Sequence, residues 1–89
     1  MSLISIIIPV FDDEKHLESA VNSVSDQQFT RCEVVIVDDC SSDSTARIAK
    51  TYAEKFAYVK YIRNPKRSGA GVSRNVGLSI AKGEYIIFL

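Results

Sequence analysis

Asp38 and Asp39 stand side by side where an apolar run, Val34-Val35-Ile36-Val37, gives way to Cys40-Ser41-Ser42-Asp43-Ser44-Thr45. An ionised carboxylate only accepts hydrogen bonds. It can therefore receive the imino N–H of uracil, thymine or guanine, or the hydroxyls of a ribose. Desolvating two adjacent carboxylates is costly unless donors meet them, so a polar ligand, a nucleotide first of all, is the leading expectation. The plainer alternative is that both acids sit near the N-terminus of a following helix, whose dipole stabilises each by about 0.3–1 kcal/mol.

Two further segments carry chemistry-bearing residues. Pro9-Val10-Phe11-Asp12-Asp13-Glu14 follows a first apolar run. A dinucleotide site would need G-x-G-x-x-G there, so that a pyrophosphate could approach a helix N-terminus. Proline, an aromatic ring and three acids stand in its place. Phe11 could stack on a flat base while backbone groups beside Pro9 hydrogen-bond its edge. Alternatively, Phe11 enters the core and the acids complement a helix dipole. The third segment, Arg63 to Gly77, sets Lys66, Arg67 and Arg74 around Gly69 and Gly71. It matches neither the dinucleotide fingerprint nor a P-loop. A glycine turn, a helix start and Arg74 could hold a diphosphate, or the segment could be a solvated basic loop. His16 is given no chemistry. Cys40 beside two acids reads as inert, since neighbouring negative charge raises a thiol pKa. No Ser/His/Asp or Cys/His arrangement is identifiable.

The elements that must position these residues follow from the pattern of apolar positions. Ile4–Val10, Val34–Val37, Val59–Ile62 and Tyr85–Leu89 read as four strands. Leu17, Ala20, Val21 and Val24 recur at helical spacing and mark a first helix, with Asp12 or Asp13 as its cap. Ile48, Ala49, Tyr52, Ala53 and Phe56 form one face of a second helix, capped by Ser42 or Asp43. Val72, Val76 and Ile80 predict a third, ending near Gly83. The order β-α-β-α-β-α-β predicts an α/β fold, a Rossmann-like parallel sheet with right-handed crossovers. Strand order 3-2-1-4 would gather the loops after strands 1, 2 and 4 around one crevice.

Composition bounds the alternatives. The 89 residues form one domain or part of one, without repeats or linkers. Eleven basic and eleven acidic residues cancel, which argues for neither nucleic acid nor an anionic membrane surface as partner. Two cysteines without CxxC spacing make a disulfide framework or zinc site improbable, and point to a reducing cytoplasm. Ile4–Val10 is too short to span a bilayer. A chain ending on the uncovered apolar run Tyr85-Ile86-Ile87-Phe88-Leu89 is expected to be a fragment of a longer protein.

Together the segments resemble the amino-terminal half of a family 2 glycosyltransferase with the GT-A fold, over nearly the whole chain. Ile4–Phe11 looks like the family's opening strand and Pro-x-Tyr-Asn turn. Val34–Asp43 looks like its Ile-Val-Asp-Asp-Gly-Ser-x-Asp segment, and Ser73-Arg74-Asn75-x-Gly77 like its Ala-Arg-Asn-x-Gly segment. Lys82–Leu89 looks like the run before the metal-binding Asp-x-Asp. The resemblance implies that residues 1–89 are the nucleotide-sugar-binding portion of a GT-A domain. It also implies that Pro9, Val10, Phe11, Asp12, Glu14, Asp38, Asp39, Gly69 and Arg74 contribute to substrate binding. Backbone at Pro9–Phe11 and the Asp39 carboxylate would hold the base, with Asp38 in support, and Gly69–Arg74 would lie near the ribose and diphosphate.

The reaction implied is transfer of a sugar from a nucleoside diphosphate, UDP favoured, to a hydroxyl of a glycan or lipid-linked acceptor in cell-surface polysaccharide synthesis. A divalent metal, magnesium or manganese, would neutralise the leaving diphosphate, and a carboxylate general base would act later in the chain. Neither is expected within these residues, so the chain alone should be inactive. A cytoplasmic location, including the inner membrane face, is expected, with membrane association only through regions outside this chain. Three positions depart from the family pattern: Phe11 for tyrosine, Asp12 for asparagine, and Cys40 for glycine, which disfavours a positive φ there. The rival readings are a non-catalytic nucleotide-binding module and a receiver-like signalling domain. The latter needs an acceptor aspartate at the end of strand 3, where Ile62-Arg63-Asn64 stands.

Overall fold

The computed structural model describes residues 3–26 and 31–89. The elements run β1 (Ile4–Val10), α1 (Glu14–Asp26), β2 (Cys32–Asp38), α2 (Thr45–Lys55), β3 (Val59–Arg63), α3 (Ala70–Ile80) and β4 (Tyr85–Phe88). They build one four-stranded parallel sheet in the order β3-β2-β1-β4, as the alternating pattern predicts. Parallel strands are covered on both faces by their crossover helices, which is why β1 and β2 are nearly continuous apolar runs.

Side chains alternate across the sheet, and the two faces carry separate cores. Ile6, Ile8, Val10, Val34 and Ile36 pack with Leu17, Ala20, Val21 and Val24 of α1 and Ala49 of α2. Ile7, Val35 and Val37 point the other way, against Val76 and Ile80 of α3. The larger core thus lies under α1 and α2, and among the described helices α3 covers the opposite face. That single helix can come close because Gly77 has no side chain: a Cβ there would stand 2.5 Å from Ile7 Cγ2.

Helix ends differ from expectation in two places. The first residue before α2 is Ser44, which makes no side-chain cap bond. Asp43 instead accepts from the Thr45 amide at 2.8 Å, as part of the loop. Helix α3 ends at Ile80 rather than near Gly83, with Ala81 already extended (φ −60°, ψ 136°). The chain must straighten there to let β4 pair with β1. For α1, Asp13 takes the cap position, its Oδ1 accepting from the His16 amide at 3.4 Å. Among the described residues, no helix is long and apolar enough to cross a membrane.

On the amino-terminal side of the sheet, buried Glu33 gathers three elements. It accepts from Ser5 Oγ at 2.6 Å, Lys60 Nζ at 2.9 Å and the Lys82 amide. Burial pushes its carboxyl up, but the Ser5, Lys82 and Lys60 donors outweigh that and hold it at about 2. Ser5 Oγ in turn accepts from the Gly83 amide at 2.8 Å. The turn that starts β4 is thereby tied to the centre of the sheet.

Candidate functional site

Period-two alternation does to the adjacent acids what it does to the valines: it sends them to opposite faces. Asp38 is the last residue of β2, opposite Val10 on one side and Arg63 on the other. Its side chain is fully buried. One oxygen accepts from the Ser41 amide at 2.9 Å, the other from Tyr61 Oη at 2.7 Å and Arg63 Nη1 at 3.0 Å. Burial and then the Asp38 carboxylate push the Tyr61 hydroxyl up to about 12, so it stays a proton donor. Arg63 Nη2 also donates to the Ser41 carbonyl. Asp38 therefore shapes the loop after β2 from below and offers no oxygen to a ligand.

Asp39 faces the α3 side and is 4% exposed. Oδ1 accepts from Asn64 Nδ2 at 3.0 Å and the Ser68 amide at 2.8 Å. Oδ2 accepts from Arg67 Nε at 3.1 Å and the Gly69 amide at 2.9 Å. The Asn64 bond, assisted by the Ser68 and Gly69 amides and Arg67 against the opposing cost of burial, holds its carboxyl at about 2. Gly69 sits at φ 92°, a conformation that favours glycine, and this directs its N–H at the carboxylate. Asn64 Nδ2 also donates to Ser73 Oγ, and that hydroxyl donates to the Gly69 carbonyl. Asp39 is thus the anchor on which the β3–α3 loop and the start of α3 are built.

A cleft of about 170 Å³ opens at this carboxyl edge, lined by Pro9, Val10, Phe11, Asp39, Arg67, Ala70 and Ser73. Phe11 is 40% exposed, so its ring belongs to the cleft and not to the core. The Arg67 guanidinium lies over that ring, its central carbon 3.4 Å from the ring centre. The cleft therefore brings Pro9, Val10, Phe11 and Asp39 together. Gly69 adjoins them through its amide.

Asp38, Asp12, Glu14 and Arg74 are not among the lining residues. Asp12 has φ 46°, a conformation that aspartate and asparagine tolerate better than most residues. Its Oδ1 accepts from the Ser42 amide at 2.7 Å and the Asp43 amide at 3.3 Å. With the Asp12 amide donating to Ser41 Oγ and the Asp13 amide to Thr45 Oγ1, it clasps the loop after β1 to the loop after β2. Glu14 begins α1, and Arg74 is exposed on the first turns of α3.

Arg67, Asn64 and Ser73 were not singled out as binding residues by the sequence. The Asn-Pro turn and the basic loop were visible there, but not the register that aims them at Asp39. Cys40 does adopt the positive φ, 65°, that its side chain disfavours. Its Sγ donates to the Asn64 carbonyl at 3.0 Å, which ties the two loops together at that point.

Residues 5–89 match the family model described as "Glycosyl transferase family 2". The poly(ribitol-phosphate) beta-N-acetylglucosaminyltransferase TarS of Staphylococcus aureus is 37% identical over 100% of this chain, which spans 16% of that protein. The putative teichuronic acid biosynthesis glycosyltransferase TuaG of Bacillus subtilis is 38% identical over 98% of the chain, which covers 34% of it. Among solved structures, S. aureus TarS 1–349 in complex with UDP-GlcNAc superposes with a TM-score of 0.88 at 39% identity, over 100% of this chain and 26% of that one. The chain therefore spans well under half the length of these relatives, and its parallel sheet is the amino-terminal region of a GT-A fold.

Proposed function

Because the chain belongs to glycosyl transferase family 2, we propose that its cleft is the base-binding part of a nucleotide-sugar site. The complete protein would transfer a sugar from a nucleoside diphosphate to a hydroxyl of a glycan acceptor. The observation that carries this reading is the meeting of an exposed aromatic ring, Phe11, and a buried ionised carboxylate, Asp39, at the carboxyl edge of a parallel sheet. Ligands bind at that edge in open α/β sheets. A ring offers a stacking face, and an acceptor-only carboxylate selects an imino N–H. UDP is the favoured carrier, because a 39% identical structure carries UDP-GlcNAc.

In this reading Phe11 fixes the plane of the base and Asp39 its edge, while Pro9 and Val10 form the wall. Asp38 and Asp12 hold the loops that carry them. Arg74 and the start of α3 at Gly69 would face the ribose and diphosphate, where a cation and a helix N-terminus favour negative charge. A divalent cation, magnesium or manganese, would neutralise the diphosphate when bound. The described residues do not fit it: no group of three or more His, Cys, Asp or Glu side chains among them could hold a metal ion. Its ligands and the general base would lie outside these 89 residues, which would then not turn over alone. A cytoplasmic location belongs to the same proposal, in keeping with two free thiols.

Titrating the full-length protein with UDP, GDP, dTDP and ADP, and with their sugars, with and without Mn²⁺, tests the reading. Saturable binding of UDP in preference to ADP is expected. Failure of every nucleoside diphosphate to bind would overturn it.

A further inference from the structure

One lining residue of the cleft covers the ring and the carboxylate that a base would use. Arg67 lays its guanidinium on Phe11 at 3.4 Å and donates Nε–H to Asp39 Oδ2 at 3.1 Å. These are the two contacts that a flat base would make: a face on the ring and an N–H on the carboxylate. A guanidinium is planar, delocalised and prone to stack on aromatic faces, so it matches the base in shape and in donor chemistry.

Asp39 has no acceptor position to spare. Its two oxygens offer about four, and four donors occupy them. The Ser68 and Gly69 donors are backbone amides, and Asn64 is buried and bonded to Ser73 as well. Only Arg67 approaches on a long side chain that is 56% exposed, and only it also covers the ring.

We propose that Arg67 is the resident occupant of the base slot, and that a nucleobase enters by displacing its guanidinium from Phe11 and Asp39. The inference rests on the nucleotide reading of the cleft. It makes the site a two-state one, in which ligand binds the open form and apparent affinity falls with the fraction that is closed. It also sharpens selectivity. Uracil, thymine and guanine bring a ring N–H that replaces the lost Arg67 bond, whereas adenine and cytosine present a lone pair at the corresponding ring nitrogen.

The test uses the full-length protein, its Arg67→Ala and Arg67→Met variants, and uridine and UDP as probes. Uridine lacks phosphates, so no new Arg67–phosphate contact can mask the effect. Both variants are expected to bind uridine about 3- to 10-fold more tightly than the wild type. In the wild type, the Arg67 Nε–H resonance should be protected from exchange in the free protein and lose that protection as UDP saturates. Equal or weaker uridine binding by both variants would overturn the proposal, as would a protected Nε–H signal that persists in the UDP complex. In either case UDP binding itself would still stand. If the wild type binds no uridine, UDP or GDP, the nucleotide reading fails, and this inference with it.

Discussion

At the scale of single residues, neighbouring carboxylates of the same type hold different posts because one extra residue along an extended backbone turns the side chain over. Asp38 is sealed among Ser41, Tyr61 and Arg63, and Asp39 gathers Asn64, Arg67, Ser68 and Gly69. Replacing Asp39 by alanine should therefore do two things. It should weaken the preferred nucleotide by about 1.5–3 kcal/mol if the carboxylate reads the base, and it should destabilise the fold by about 1–3 kcal/mol, because the Asn64, Ser68 and Gly69 donors lose their acceptor. Isothermal titration and urea unfolding of the same variant separate the two effects, and unchanged affinity in a folded variant would remove Asp39 from base recognition. Asp12 makes the complementary case. Its carboxylate serves the Ser42 and Asp43 amides, and an asparagine carbonyl can serve them too. Asp12→Asn should leave unfolding midpoints nearly unchanged, whereas Asp12→Ala should cost about 0.5–1.5 kcal/mol. If the asparagine variant were the worse of the two, the clasp would not be what Asp12 provides.

At the scale of elements, the cleft depends on how closely α3 lies on β1. Gly77 sets that distance, since a Cβ there would meet Ile7 Cγ2 at 2.5 Å. Ile7 is fully buried in the middle of the sheet and has no room to retreat. Gly77→Ala should destabilise the protein by about 1–3 kcal/mol through overpacking, despite alanine's better helix propensity. A thermal melt settles the sign: a more stable variant would show that the helix can lift away freely. Because α3 begins at the Asp39 anchor, the same substitution should also shift amide signals at Ser68 and Gly69, which an effect confined to Ile7 would leave in place.

At the scale of the whole molecule, two buried carboxylates pin the two ends of the sheet, Glu33 at one and Asp39 at the other. Both are held at about 2, below the ordinary 4.5 of a glutamate and 3.8 of an aspartate. A carboxyl that is more acidic in the folded state binds fewer protons there than in the unfolded chain, so its contribution is complete above the ordinary value and is lost as pH falls towards the folded one. Stability should therefore drop steadily from about pH 5 to about pH 2. Glu33→Gln should be less stable than wild type at neutral pH and show a shallower drop, measured as urea midpoints. A parallel decline in both proteins would refute that role for Glu33.

Much of this architecture was legible in the chain itself. Runs such as Ile4–Val10 and Val34–Val37 alternating with helical spacing specify a parallel sheet, because only strands covered on both faces can be apolar throughout. The Pro9–Phe11 turn, the two aspartates and the glycine-rich helix start mark the carboxyl edge and the family. Local pattern could not say which acid faces the cleft, that Phe11 stays outside the core, or that Arg67 lies on its ring. Those are matters of register and of contacts between residues about 30–60 positions apart, and only the closing of β1, β2 and α3 around one another decided them.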